Sequence, residues 1–255
     1  DRRNIKMSSI KKRKYVKRSV DRKQNKKIAK LSKQVKTLIK ADEKKVYDDY
    51  LSSSGITSSG HVQPMLNIPF WVTNVANSNN KRLYFREGDS INVTSMVIKG
   101  MVQIDSSSAT LADLNNIVRI VVVRMTDDNP AAPTMSDIFD GTAPNGDYYN
   151  AFFKVGGSRR YQKLYDKRMH LENPTQSCTA SAGYFACMSE NWRKRFVINV
   201  PLPKSGLKVD YSAQAITGAN PVTNGIYLLA VSDSTAASVV HPKWRFDSRT
   251  RFLDN

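Results

Sequence analysis

The side chains with the densest chemical pattern in this chain are cations. Residues 1–40 contain 17 Lys and Arg against two acids, Asp1 and Asp21, a net charge of +15. The whole 255-residue chain carries +18, which leaves only +3 for the other 215 residues. The concentration consists of Arg2, Arg3, Lys6, Lys11, Lys12, Arg13, Lys14, Lys17, Arg18, Arg22, Lys23, Lys26, Lys27, Lys30, Lys33, Lys36 and Lys40. Such side chains neutralise phosphates and release their condensed counterions. That chemistry needs positive charge, tolerates disorder and carries no sequence code. A nearly neutral body behind a basic segment therefore predicts a dedicated polyanion-binding arm. Nucleic acid is the first candidate partner, with an anionic membrane or an acidic protein as alternatives.

No comparable pattern points to catalysis. His61, His170 and His241 are far apart and outside metal-ligand spacing. Nothing marks a Ser-His-Asp or Cys-His arrangement. No Gly-rich phosphate loop of the Walker or dinucleotide kind is present. Cys178 and Cys187 have no partner histidines for a zinc site, and a single bridge between them is the most a two-cysteine chain allows. Asp127 and Asp128 sit at a turn, where carboxylates are usually solvated, with a calcium ion shared between subunits as the alternative. The expectation is a protein that is not an enzyme, with no cofactor beyond that calcium.

The elements that must position the cations differ along the arm. Residues 1–25 lack apolar periodicity, so mutual repulsion predicts a disordered tail. Over 26–40, Ile28, Leu31, Val35 and Leu38 recur at steps of three and four, the period of one helical face. The lysines fall mostly opposite, which predicts a short amphipathic helix that is marginal by itself. Packing on its own core is the plain reading of the stripe. A membrane surface is disfavoured because the stripe lacks Trp and Phe.

The arm is assigned to residues 1–44 and a globular domain to 45–255. Residues 51–60 read as a Ser/Gly-rich loop. Beyond them the period is two. Met96, Ile98, Val102 and Ile104 share a face, as do Phe196, Ile198, Val200 and Leu202. Trp244, Phe246, Thr250 and Phe252 alternate with Lys243, Arg245, Asp247, Arg249 and Arg251. Ile117–Arg124 and Ile226–Val231 read as strands buried on both faces. A short helix is expected at Thr134–Phe139, after Pro133. Many strands, few helices and no βαβ alternation predict an all-β sandwich or barrel. No apolar segment is long enough to span a membrane or follows the basic start as a leader, so cytosolic or nuclear residence is expected. In the body, Arg159-Arg160, Lys163, Lys167-Arg168 and Arg193-Lys194-Arg195 could join the arm on one phosphate-binding surface, with Arg160 and Lys163 as leading candidates.

Several stretches also carry a resemblance in a consistent order. They are Glu43-Lys44-Lys45-Val46-Tyr47-Asp48, Arg86-Glu87-Gly88-Asp89-Ser90-Ile91-Asn92-Val93-Thr94 ahead of Ile98-Lys99-Gly100, and Val118 to Arg124. Then come Pro133 with Ser136 to Phe139, Arg160 to Lys167, Asn224 to Asp233, and Arg245 to Asp254. In this the chain resembles the single jelly-roll capsid proteins of small icosahedral viruses, those of circular, Rep-encoding single-stranded DNA viruses and of the satellite tobacco necrosis virus type. Tyr161 stands where Phe is more usual, and Leu171 to Trp192 has no counterpart and reads as a surface loop.

The resemblance implies an eight-stranded jelly-roll sandwich with an inward-facing, partly helical basic arm. It implies a homo-oligomer of about sixty copies in a T=1 shell around a single-stranded genome. Sixty arms would bring on the order of 900 charges, balancing roughly 1 kb of single strand. Lys11-Lys12-Arg13-Lys14 could double as a nuclear-import signal, so the expected locations are the virion and the host nucleus or cytoplasm. A non-viral nucleic-acid-binding module of chromosomal or ribosomal type is the alternative.

Overall fold

The computed structural model describes residues 21–35, 44–71, 84–104, 115–128, 131–141, 147–156, 160–172, 190–215, 218–234 and 241–254. The chain divides into two units, Asp1–Glu43 and Lys44–Asn255. In the first, residues 21–35 form helix α1, with every side chain exposed. Ile28, Leu31 and Val35 share one face, 61%, 58% and 49% exposed. At about 100° per residue, Arg22, Lys23, Lys26, Lys30 and Lys33 lie on the opposite face and Lys27 on its flank. Disorder was expected through residue 25, but 21–25 are helical. Arg, Lys and Gln favour helix without an apolar partner, and Asp21 in the first described turn complements the helix dipole. Lys36 and Lys40 lie outside the described residues, as do all the cations from Arg2 to Arg18.

Among the described residues, the regular structure of the second unit is almost wholly β. Its strands are β1 (Lys45–Gly55), β2 (His61–Pro64), β3 (Ser90–Gln103), β4 (Asn115–Met125) and β5 (Tyr161–Glu172). They continue with β6 (Arg193–Asn199), β7 (Leu207–Tyr211), β8 (Pro221–Thr223), β9 (Ile226–Ser232) and β10 (Lys243–Asp254). The short helix α2 is Met135–Ile138, with the Asp137 carboxylate accepting from the Thr134 N–H at 2.8 Å. All pairings between these strands are antiparallel. The first sheet runs β1-β10-β3, with β6 and β7 both on the remaining edge of β3 and β8 beyond β7. The second sheet runs β2-β9-β4-β5.

β6 and β7 are one strand interrupted. They pair with Val97–Gln103 and Ser90–Val93 on the same edge of β3. Between them, Pro201 and Pro203 have no N–H to donate to a ladder. The chain re-enters through a turn in which the Gly206 N–H donates to the Pro203 carbonyl at 2.9 Å. Gly206 has φ +88°, and a Cβ there would meet Asn92 Oδ1 at 2.2 Å, so glycine is required. With β6–β7 as one strand and β8 as a short extension, each sheet has four strands. Their orders are first-eighth-third-sixth and second-seventh-fourth-fifth. Consecutive strands thus cross repeatedly between the sheets, and the first and last lie side by side. This is an eight-stranded jelly-roll sandwich.

The stretch 51–60 read as a loop, yet β1 continues to Gly55. Leu51 pairs with Phe246, Ser54 with Trp244 and Gly55 with Lys243, around an irregularity between Leu51 and Ser54. Pairing with a neighbour overrides the weak strand preference of Ser and Gly. Likewise Leu171 and Glu172 belong to β5, and Glu190–Trp192 form a 3-10 turn. Residues 173–189, with Cys178 and Cys187, lie outside the described residues.

Period-two alternation builds the core. Ile91, Val93, Met96, Ile98, Val102, Trp244, Phe246 and Phe252 of the first sheet meet Val118, Ile120, Val122, Leu228 and Ala230 of the second. Burying each of the larger side chains contributes about 1.5–3 kcal/mol. Gly100 is needed inside β3, since a Cβ would stand 2.3 Å from the Phe196 ring that crosses it. The second sheet is buried on its other face too. Val121, Val123, Tyr227 and Leu229 are covered by Ile138, Phe139, Tyr148 and Phe153. That explains the uninterrupted apolar runs of β4 and β9.

Arg119, the buried charge of β4, locks this cover in place. Its guanidinium takes both Asp166 oxygens, at 2.9 and 2.8 Å, and donates to the carbonyls of Tyr148 and Ala151 at 3.0 and 2.6 Å. It also stacks near Phe139 and Phe153, 4.7 and 5.5 Å from their centroids. Burial would raise the Asp166 carboxyl, but hydrogen bonds and charge from Arg119 hold it below its ordinary value. A lowered folded value gives stability that is complete above the unfolded value and is lost as pH falls through the folded one. Arg119→Met should lower the unfolding free energy by about 3 kcal/mol, read by urea denaturation. Asp166→Asn should flatten the pH dependence of stability below about pH 4.

Candidate nucleic-acid interface

The core-facing side chains of the first sheet leave a second set pointing away. Residues directly opposite across an antiparallel pair share a face, so the register gives its rows. One row is Val46, Arg251 and Ser95, and the next is Asp48, Arg249, Val97 and Asn199. The middle row is Tyr50, Asp247, Lys99 and Val197. Beyond it come Arg245, Met101 and Arg195, then Gly55, Lys243, Gln103 and Arg193. Seven cations (Lys99, Arg193, Arg195, Lys243, Arg245, Arg249 and Arg251) share this face with two carboxylates, Asp48 and Asp247, a net of +5. Along β10 the outward side chains repeat every ~6.6 Å, two residues of strand.

Local partners decide which of these charges remain available. Arg249 and Asp48 form a two-pronged pair at 2.8 and 2.7 Å, and hydrogen bonding from Arg249 holds the Asp48 carboxyl below its ordinary value. That pair is exposed and solvent-screened, so it contributes little to stability. Arg193 lies 5.0 Å from the Trp192 ring centroid. Among the described residues, Lys99, Arg195, Arg245 and Arg251 form no ion pair. Their charge faces solvent and is open to an anion.

The face is not flat. A hollow of about 580 Å³ is lined by Tyr50, Lys99, Asp247, Arg249 and Arg251, among others. A second, of about 590 Å³, is lined by Tyr50, Lys99, Arg195, Arg245 and Asp247, among others. Arg195 also borders a hollow of about 340 Å³ with Lys167, Arg168, His170 and Lys194, at the edge where β5 and β6 approach. The cationic surface therefore continues from the sheet face around its β6 edge.

Other cations serve the fold. Lys45 is 1% exposed, with its ammonium 3.0 Å from Glu87 and 2.8 Å from Asp254. Asp254 also accepts from the Gly88 N–H at 3.1 Å, so the first strand, the last strand and the 86–89 turn are tied together. Arg86 is fully buried, 4.1 Å from the Tyr211 ring centroid and 5.1 Å from that of Phe70. It donates to the carbonyls of Ile68, Gly88 and Ala213. Burial lowers the Arg86 value and raises that of the Tyr211 hydroxyl, which donates to Leu66.

The sequence candidates in the body separate. Arg160 pairs with Asp127 at 2.5 Å, and Lys163 lies 3.7 Å from Asp166 with its ammonium 4.8 Å from the Phe153 centroid. Lys163 is on β5 and Arg160 just precedes it, whereas Lys167 and Arg168, further along β5, border one hollow with Lys194 and Arg195. Arg159 lies outside the described residues. Arg22, Lys23, Lys26, Lys27, Lys30 and Lys33 are on α1. The face of the first sheet was missed as a unit. Its visible signal was the alternation of Lys243, Arg245, Arg249 and Arg251, whereas Lys99 and Tyr50 had none. A Ser-His contact does occur, Ser234 Oγ to His241 Nδ1 at 2.9 Å, with Ser234 2% exposed. Among the described residues no helix is long and apolar enough to cross a membrane, and no group of three or more His, Cys, Asp or Glu is gathered.

Replacing Arg195, Arg245 and Arg251 by Ala together should lower the slope of log affinity for single-stranded nucleic acid against log salt by about 2 units. Fluorescence anisotropy across a salt series measures it.

No family model and no curated protein sequence matches the chain. Among solved structures it is similar to that of Desmodium yellow mottle tymovirus, at 8% identity and a TM-score of 0.35, over 83% of this chain and 87% of that one. It is similar to the infectious bursal disease virus VP2 subviral particle at 11% identity and a TM-score of 0.25, over 84% of this chain but only 33% of that one. Against VP1 of the Trichodysplasia spinulosa-associated polyomavirus, in complex with GM1 oligosaccharide, identity is 9% and the TM-score 0.22, over 84% and 95% of the two chains. All three come from viruses. The fold itself rests on strand order and register.

Proposed function

We propose that this chain is a viral capsid subunit that assembles into a small icosahedral shell and packages a single-stranded genome. The observation that carries the reading is a jelly roll with two separate cationic devices. One is the arm, with its net +15 over residues 1–40. The other is the outward face of the first sheet, with a net +5. The ordered resemblances along the sequence support the same reading, because all but the one at α2 reach strands that build the sandwich. β1, which follows the arm in the chain, is an edge strand of the cationic sheet.

In this reading both devices face the shell interior. The arm supplies charge without geometry, so it can follow any path of the genome. The sheet face supplies charge at fixed spacing. The α1 stripe of Ile28, Leu31 and Val35 packs on protein when the lysines meet phosphate. About sixty copies in a T=1 shell satisfy closed symmetry with a single chain type. The virion is then the working location, reached through the host nucleus or cytoplasm.

Purified protein should form particles of about sixty subunits by light scattering and negative-stain microscopy. Removal of residues 1–43 should strip most of the packaged nucleic acid while leaving the β fold intact by circular dichroism. A stable monomer after nuclease treatment at physiological salt sinks the capsid reading and leaves a nucleic-acid-binding module.

A further inference from the structure

We infer that the middle row of the cationic face holds an unpaired base of a single strand, stacked on Tyr50 with its N–H edge on Asp247, while phosphates lie on the flanking cations. The inference rests on the proposed genome contact and specifies what that face recognises.

Three observations meet at this row. Tyr50 is 73% exposed, whereas Tyr148, Tyr161, Tyr211 and Tyr227 of the same unit are buried. It lines both large hollows of the face. A ring this exposed contributes little to the fold but offers a π-face to any base. Second, the charge pattern is wrong for a continuous run of phosphates. Asp247 lies directly opposite Tyr50 and also opposite Lys99. It repels phosphate from the centre, and Asp48 already occupies Arg249. Of the open cations, Lys99 shares the middle row with Asp247, while Arg251 on one side and Arg245 with Arg195 on the other are separated along β10 by about 20 Å.

Third, an ionised carboxylate only accepts hydrogen bonds. Every nucleobase presents an N–H on its Watson–Crick edge, and in a duplex that edge is already paired. A duplex also keeps its bases stacked and would press its phosphates against Asp247. A single strand can instead turn a base onto Tyr50 and keep its backbone on the arginines.

The test uses the full chain and three probes: an oligodeoxycytidine, an abasic strand of the same length, and a duplex. Tyr50→Ala should weaken oligodeoxycytidine binding by about 5- to 150-fold and leave the other two probes within about twofold. Tyr50→Phe should retain binding. Asp247→Ala separates base contact from plain electrostatics, since removing a negative charge strengthens any phosphate-only contact. Weaker binding of oligodeoxycytidine with undiminished binding of the abasic strand supports the inference, and tighter binding of both overturns it. Photocrosslinking to an iodouracil-containing strand should map to the peptide carrying Tyr50, which reads the site directly even when the arm dominates affinity. No crosslink there, or equal losses for all three probes with Tyr50→Ala, overturns the inference. If the Arg195, Arg245 and Arg251 triple variant binds as the parent does, the face is not a genome contact at all. If that variant loses binding and Tyr50→Ala does not, only the stacking role fails.

Discussion

The structure depends on the insertion of the last strand between the first and the third. β10 pairs along its length with β1 on one side and β3 on the other. Its strict alternation puts Trp244, Phe246, Ser248, Thr250 and Phe252 inside and Arg245, Asp247, Arg249 and Arg251 outside. A slip of one residue would bury four charges and expose two Phe and a Trp, so register is strongly specified. The same pairing that closes the core therefore lays out the cationic face. Core and cationic face are two sides of one strand.

Positive charge in the body has two distinct fates, and the surroundings decide between them. Lys45, Arg86 and Arg119 are buried, and each is compensated by carboxylates, carbonyls or aromatic rings. Removing one partner of such a group leaves a charge or a carbonyl without compensation, which costs far more than the pair contributes as a net gain. They tie strand ends and covering loops to the sheets. Lys99, Arg195, Arg245 and Arg251 have no such engagement, so their charge is available to a ligand.

In the proposed function the arm and the sheet face divide the work of binding. The arm carries most of the charge and little geometry, which suits neutralisation of a flexible polyanion. The sheet face carries less charge but holds it at strand spacing, with an aromatic ring and a carboxylate among the cations. Fixed positions can distinguish forms of nucleic acid that differ in shape rather than in charge.

Periodicity alone determined much of this protein. Alternation in β3, β6 and β10, and the apolar runs of β4 and β9, were legible because side chains in a strand change face at every residue. Helix in the arm was legible from the spacing of Ile28, Leu31 and Val35, though not its extension over 21–25, which needs no apolar contact. Low-propensity segments were not legible. Gly55 is in a strand because β10 lies beside it, and β6 and β7 count as one strand because they share an edge of β3. Nor could charge counting place the cationic face. Arg119 and Arg245 look alike in the chain, but one is clamped by Asp166 and the other faces solvent. Sequence distance hides which groups will be neighbours, and Tyr50 meets Asp247 only across a strand pair that joins the two ends of the fold. The cationic arm was a property of the sequence, while the cationic face was decided by the tertiary pairing that brought four distant strands into one sheet.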